Sequence, residues 1–298
     1  MIEKFGIEWI PHYEEGKYDV AILHLDQQCF EESIWERGKG SVYREINEVI
    51  GDIPKIVIMH GTPYYPEMFS NDITNDTFAK NGISSELIKK CKEAIGDNYM
   101  VVNSHIAQKQ WGAGKTIIHG MDKEEWVDLP KEPRVITMIN PGGLDKYYDR
   151  VLLQAVVDLL GERGIHHCHI TVDVKMDTWD RYKEFIGRSL IYFNPTKESP
   201  MPRSRTEAMF SGCCIVTTPT QDADTFIKDT QNGFLVKRDP NYIADLIEGL
   251  LKDYKVAVKI GQEGKKTAHE LFSGERYRNE WREYLDFVIQ DYKDKHRK

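Results

Sequence analysis

The stretch from residue 189 to residue 218 constrains the fold of this chain more than any other. It holds two short runs of apolar and β-branched residues, 190–193 and 213–218, with a proline-rich loop and a short helical segment between them. Continuous apolar runs of this length are typical of strands buried on both faces of a parallel sheet. The stretch therefore predicts a strand–loop–helix–strand unit whose loop lies at the carboxyl edge of the sheet, where α/β folds bind phosphorylated ligands.

Apolar runs alternate with helical patterns along the rest of the 298 residues. The segment 124–133, with two prolines and five charged residues, divides them into two groups and is predicted to link two lobes. We therefore predict an α/β protein with two Rossmann-like, parallel-sheet lobes that face each other across a cleft. The predicted boundaries are 1–132 for the first lobe, 133–274 for the second lobe and 275–298 for a C-terminal helix.

The loop and helix of the opening stretch resemble a known family. Glu198, the tripeptides 202–204 and 207–209, and Ser-Gly-Cys at 211–213 are similar to the nucleotide-sugar signature of retaining GT-B glycosyltransferases, the family-4-like group called glycosyl transferases group 1. The resemblance implies transfer of a hexose or pentose from a nucleotide-sugar donor with retention of its anomeric configuration. It also implies a C-terminal helix that crosses back onto the first lobe. The alternative reading is a surface loop beside an ordinary amphipathic helix, which explains less of the composite motif.

Two glutamates bracket this loop in the family. The resemblance assigns Glu207 to the ribose of the nucleotide and Glu198 to the donor sugar, because a carboxylate accepts hydrogen bonds from paired hydroxyls. The family has seven residues between the glutamates, whereas eight separate them here, so Ser199 stands at the first glutamate's usual place. Either the loop carries one extra residue or the first role has moved. Local rules place the helix N-cap at Ser204 or Thr206, with Glu207 in the first turn.

A second phosphate-binding element is predicted after the strand 134–140. Gly142 and Gly143 form a turn before a helix, where backbone amides can approach an anion closely. The family places an arginine and a lysine here; Lys146 is near the lysine's place, but no arginine lies between residues 138 and 146. Arg203, Arg205 or Arg150 is expected to compensate. The predicted donor-binding residues are Gly142, Gly143, Lys146, Ser199, Arg203, Ser204, Arg205 and Glu207.

The first lobe contributes one candidate catalytic residue, His60, at the carboxyl end of the predicted strand 55–60. The resemblance implies that His60 faces the donor sugar together with Glu198. The alternative interpretation, which the sequence supports equally, is that His60 only caps the strand by bonding the backbone of the following loop. Residues 1–17 are too few for a full strand and helix before the strand 18–26, so the first lobe is predicted to be trimmed relative to the family.

Neither a metal nor a cofactor is expected. The histidines of the segment 166–169 precede a predicted strand, 170–174, in which neighbouring side chains face opposite ways and cannot converge on one ion. The resemblance also implies a metal-independent reaction, with the nucleotide sugar bound as a substrate.

Charge and composition limit the partners and the location. The formal net charge of −8 and the pI near 5.7 argue against broad nucleic-acid binding. The longest apolar segment, 151–160, contains Gln154 and Asp158 and predicts a core helix rather than a membrane span. Five scattered cysteines predict reduced core thiols, and the N-terminus lacks the pattern of a signal peptide, so we expect a cytoplasmic protein.

Three functions fit these features. The first is a glycosyltransferase acting on a small molecule, a glycan or a lipid. The second keeps the chemistry but uses a polymer acceptor such as modified DNA, because a trimmed first lobe leaves a more open cleft. The third is a noncatalytic nucleotide-sugar-binding subunit, which the irregular glutamate spacing and the missing arginine favour.

Overall fold

Two parallel β-sheets organise the protein, as a computed structural model that describes residues 13–63, 83–139, 147–197 and 201–297 shows. The first sheet has the order β1-β2-β3-β4 and the second has the order β6-β5-β7-β8-β9. Every pairing within them is parallel. The strands are β1 (Ala21–Asp26), β2 (Lys55–His60), β3 (Tyr99–Val102), β4 (Lys115–Thr116), β5 (Glu132–Met138), β6 (His167–Ile170), β7 (Ser189–Asn194), β8 (Cys214–Thr217) and β9 (Phe234–Leu235). The predicted two-lobed α/β class is confirmed.

The helices of the described residues connect these strands and cover both sheets. They are α1 (Glu32–Arg37), α2 (Lys39–Val49), α3 (Ser85–Ile95), α4 (His105–Trp111), α5 (Arg150–Glu162), α6 (Trp179–Arg188), α7 (Arg203–Phe210), α8 (Ala223–Phe226), α9 (Pro240–Lys252), α10 (Tyr254–Leu271) and α11 (Gly274–His296). The last helix, α11, packs Trp281 and Val288 against Ile56 and Val101 of the first sheet. The chain therefore returns to the first lobe after completing the second.

The second lobe places its central strand entirely inside the protein. All six residues of β7 are buried, with apolar side chains packing into clusters on both faces of the sheet. At its carboxyl end the buried Asn194 donates to the Tyr192 hydroxyl at 2.9 Å, and its backbone oxygen accepts from Thr217 Oγ1 at 2.9 Å. These bonds fix the edge from which the chain leaves for the loop before α7.

Ion pairs attach the predicted linker to the second lobe. The Lys131 side chain, only 3% exposed, pairs with Asp128 Oδ1 at 2.9 Å and donates to the Gly187 carbonyl at 2.7 Å. Asp128 Oδ2 also accepts from Gln262 at 2.8 Å and from Lys265 at 2.9 Å. Because these charged groups are paired and largely removed from water, losing one partner would leave another uncompensated.

The predicted start of α7 is wrong. The helix begins at Arg203 with Pro202 in the N-cap position, and no side chain caps it. Pro202 has φ near −64°, which suits a helix start, and the Ser204 hydroxyl bonds Tyr192 Oη at 2.8 Å instead of the backbone. Glu207 therefore lies in the second turn rather than in the first.

The predicted strand 170–174 is also displaced, because β6 comprises His167–Ile170 and is followed by a turn. Two of its histidines bond the neighbouring β5 segment: His167 Nε2 lies 2.9 Å from Thr137 Oγ1, and His169 Nε2 lies 2.8 Å from the Ile139 carbonyl oxygen. The two histidine rings thus link β6 to the β5 segment through hydrogen bonds. Within the described ranges, no three histidine, cysteine or acidic side chains are grouped as a metal site.

The burial of the cysteines and the hydropathy of the helices bear on two predictions made from the sequence. All five cysteines are buried free thiols. No helix among the described residues is both long enough and apolar enough to cross a membrane.

Gly261 should be intolerant of a side chain, because α10 packs there against the turn between α7 and β8. A Cβ atom on Gly261 would lie 2.3 Å from the Gly212 carbonyl oxygen, whereas a Cβ on Gly249, in α9, meets nothing within 4 Å. We expect Gly261→Ala to lower the free energy of unfolding by about 1–3 kcal/mol. The control, Gly249→Ala, should raise it by about 0.5–1 kcal/mol. Urea unfolding of both variants tests this; equal effects would contradict the packing.

Candidate functional site

The two lobes meet near the start of α7. His119, which follows β4 in the first lobe, places Nε2 2.9 Å from Thr206 Oγ1 of α7. Close by, Asp222 of the second lobe accepts at Oδ1 from the Ile106 backbone N–H at 3.1 Å, at the N-terminus of α4. Polar contacts of both lobes therefore border α7.

Glu207 is the best-defined predicted site residue in this region. It is 6% exposed, and its two carboxylate oxygens have different partners. Oε1 accepts from Arg203 Nε at 3.0 Å, one helical turn earlier, and Oε2 accepts from the Tyr182 hydroxyl at 2.5 Å. Burial, and then the Glu207 carboxylate, raise the pKa of Tyr182 well above its ordinary value, so this phenol remains a donor at neutral pH. The carboxylate is thereby held in one orientation.

Arg205 is a buried cation on the same helix. It is 1% exposed, and its guanidinium carbon lies 5.2 Å from the centre of the Phe226 ring. Its Nη1 is buried and has no hydrogen-bond partner in the part of the chain that the structure describes. Burial lowers the pKa of Arg205 to about 10, which still leaves it charged at neutral pH. An arginine buried in this way offers its charge to an anion.

Three arginines lie near His119, the histidine of the first lobe that bonds Thr206 of α7. Burial, and then Arg203, Arg205 and Arg276, lower the pKa of His119 to about 3. Arg276, at the start of α11, donates through Nη2 to the Ile118 carbonyl oxygen at 2.8 Å. His119 is therefore neutral at physiological pH, and the local charge is that of the arginines.

Ser204 has a supporting position. Its hydroxyl shares a hydrogen bond of 2.8 Å with Tyr192 Oη, which in turn accepts from Asn194 at 2.9 Å. This chain of bonds connects the first turn of α7 to the carboxyl end of β7.

His60 lies in the first lobe, at the end of β2. Its Nε2 is 2.9 Å from Nδ1 of His24, and the two rings are nearly parallel, at 9°. Burial lowers the pKa of both rings, and His24 lowers that of His60 further. Asp26, in the strand that carries His24, pairs with Lys39 at 2.5 Å. The structure thus gives His60 a side-chain partner that the sequence did not indicate.

The structure brings together only part of the predicted set. Arg203, Ser204, Arg205 and Glu207 share α7, and two of them are directly bonded. Five predicted residues lie outside the described residues: Gly142, Gly143, Lys146, Glu198 and Ser199.

Sequence reasoning missed Tyr182 and His119, both of which bond the α7 segment. Tyr182 is 25 residues from Glu207, and His119 is 87 residues from Thr206. The aromatic residues at 179 and 182 are three apart in the sequence, a spacing that places two side chains on one face if the segment is helical. Nothing in the sequence pairs that face with Glu207.

Comparisons with known proteins agree with this architecture. Residues 130–267 match the family model described as Glycosyl transferases group 1. The chain is similar in structure to HepE of Anabaena, solved with UDP and glucose, at 15% identity, covering 90% of this chain and 78% of that chain, with a TM-score of 0.67. No curated protein matches in sequence.

Two further solved structures are similar. Sucrose-phosphate synthase from Thermosynechococcus elongatus matches at 13% identity, covering 93% of this chain and 75% of that chain, with a TM-score of 0.65. TarM matches at 14% identity with a TM-score of 0.63, covering 89% of this chain; the present chain spans 54% of TarM.

The two parallel-sheet lobes and the similar solved structures define the class of fold, the two-lobed GT-B fold. The segment 130–267, which matches the Glycosyl transferases group 1 model, runs from the linker into α10 and contains the whole of α7. The family resemblance seen in the loop and helix is confirmed over this matched segment.

Acid should destabilise the protein partly through His119. The unfolded chain takes up a proton on this ring near pH 6.5, whereas the folded protein does so only near pH 3, so the free energy of unfolding falls as the pH drops through this window. In His119→Gln the loss between pH 7 and pH 5 should be smaller by about 1–2 kcal/mol. Urea unfolding at both pH values measures it, with His296→Gln, near the exposed C-terminus, as the control. An unchanged pH dependence in His119→Gln would contradict the neutral buried histidine.

Proposed function

We propose that this protein transfers a sugar from a nucleotide-sugar donor to an acceptor with retention of anomeric configuration. The observation that carries the proposal is the buried Glu207 carboxylate, held by Tyr182 and Arg203 beside a group of arginines where the lobes meet. The retained configuration rests on the family resemblance.

Glu207 binds the ribose of the donor. Each carboxylate oxygen can accept more than one hydrogen bond, so the two ribose hydroxyls can join the donors already present. Tyr182 and Arg203 hold the carboxylate in one orientation. A preorganised carboxylate loses little freedom when the ribose binds, which favours affinity.

Arg205 and Arg203 bind the diphosphate together with Lys146 and the amides of Gly142 and Gly143. Arg205 replaces the arginine that the glycine turn lacks, because its buried Nη1 has no partner among the described residues and a phosphate oxygen supplies one. Negative charge grows on the diphosphate as the bond to the sugar breaks. Fixed cations and amides stabilise that charge without solvent reorganisation, and we propose that no metal ion is required.

The sugar lies between Glu198, or Ser199 if the role has moved, and His60 of the first lobe. The acceptor enters from the first-lobe side, and we propose a small molecule, a glycan or a lipid; the net charge of −8 weighs against DNA. The solved complexes of HepE with UDP and with UDP-glucose make uridine diphosphate sugars the first donors to test. The buried free thiols fit a reducing compartment, and we propose a cytoplasmic location.

Two substitutions test the donor site. Glu207→Gln keeps the shape but removes the charge, and Arg205→Met keeps most of the volume. We expect each to lower donor turnover, measured as kcat/KM for release of the nucleoside diphosphate, by about 30- to 100-fold, the effect of losing a charge-assisted hydrogen bond. Arg181→Met, at a side chain that is 70% exposed on α6, is the control and should turn over like the wild type.

The outcomes separate the alternatives. Wild-type turnover in both site variants, with folding unchanged, would overturn the proposed donor site. Tight nucleotide binding without turnover in the wild-type protein would identify a noncatalytic subunit. Proton NMR of the product anomer tests retention, and an inverted product would exclude it.

A further inference from the structure

Trp179 at the start of α6 is a half-exposed tryptophan next to the candidate donor site. It is 49% exposed, whereas its neighbour Trp126 is 6% exposed. The Trp179 ring stacks on Tyr182, with ring centres 5.0 Å apart and planes inclined by 20°, and meets Trp126 edge-on at 5.6 Å. One face of the indole is thus supported while much of the ring remains open to water.

The ring is tied to the residue proposed to bind ribose through a single side chain. Tyr182 stacks with Trp179 through its ring and donates to Glu207 Oε2 through its hydroxyl at 2.5 Å. Its hydroxyl oxygen also lies 3.4 Å from Met138 Sδ at the end of β5. Tyr182 is therefore packed from several sides, and it holds the tryptophan at a fixed place relative to the Glu207 carboxylate.

Core packing does not account for the open part of Trp179. Trp126 and Tyr182 fill the interior beneath it, and the remaining surface of the indole has no role in the cores of the second lobe, where Trp126 and Tyr182 are members. The base of a nucleotide is attached to the ribose ring whose hydroxyls Glu207 would accept. A base in that position lies beside the carboxylate, and every base has a π-face that can stack on an aromatic ring.

We infer that Trp179 is the stacking platform for the base of a nucleoside diphosphate, and that it adds affinity for the nucleotide part of the donor. The inference rests on the proposed donor site, because Glu207 would fix the position of the ribose and the base is attached to the ribose. A stacking platform tolerates several bases, so it contributes affinity for nucleotides without itself selecting one. Trp179 is thus a binding residue that acts on the part of the donor farthest from the transferred sugar.

Calorimetric titration of the full chain with UDP and with pyrophosphate tests the platform, because only UDP carries a base. Trp179→Ala should weaken UDP binding by about 5- to 150-fold, the range found when a stacked base loses its aromatic partner. Pyrophosphate affinity should stay within about twofold of the wild type, and Trp179→Phe should restore most of the UDP affinity. Tyr242→Ala, at a 44% exposed tyrosine on α9, is the matched control and should bind both ligands like the wild type.

GDP and ADP are titrated in the same way if UDP does not bind. Wild-type affinity of Trp179→Ala for the nucleotide that binds would overturn the platform and leave the proposed donor site intact. Equal weakening for the nucleotide and pyrophosphate would also overturn it, because the residue would then support the site as a whole. Failure of the wild-type protein to bind any of these nucleotides would overturn the proposed function and this inference with it.

Discussion

The burial of opposite charges on one short helix is the constraint on which the second lobe depends. Arg205 and Glu207 are two residues apart on α7, and both are less than a tenth exposed. Removing such groups from water costs several kcal/mol each unless they are paired or bind a ligand. Glu207 has two donors, whereas Arg205 has an unpartnered Nη1 within the described structure. The Arg205 guanidinium therefore lacks a full set of partners, which favours the binding of a negatively charged ligand at this helix.

The rest of the lobe keeps this helix in place. The buried strand β7 leads into the loop before α7, and the hydroxyl of Ser204 is bonded back to Tyr192 in that strand. At the other end, Gly212 has φ near +71° and ends α7 in a conformation that suits glycine. Gly261 lets α10 approach this turn closely. The charges of α7 are thus carried on a rigid support, which is what a preorganised binding site requires.

The sequence was sufficient for the architecture because burial on both faces leaves continuous apolar runs. The runs at 190–193 and 213–218 predicted β7 and β8. The start of α7 was not predictable by the same rules. Ser204 and Thr206 both suit an N-cap, but their hydroxyls bond Tyr192 and His119, and Thr206 and His119 are 87 residues apart. Tertiary contacts overrode a local preference there.

The sequence predicted several residues of the candidate site but not the contacts between them. A family resemblance pointed to Glu207 and Arg203, yet nothing in the sequence shows that they bond each other or that Arg205 is buried, since arginines are mostly exposed. The contribution of Tyr182 and Trp179 from α6 depends on the contact between α6 and α7 in the folded chain. Such pairings arise only when the chain is folded, so spacing along the sequence does not reveal them.

The most direct test of the central claim is a thermal-unfolding titration of the wild-type protein with nucleoside diphosphates and the corresponding nucleotide sugars. A ligand that binds only the folded state raises Tm in proportion to the logarithm of its concentration once the site is saturated. The donor site around Glu207 and Arg205 predicts such a rise for at least one nucleoside diphosphate and for its sugar conjugate. An unchanged Tm with every one of these ligands at millimolar concentration would contradict it.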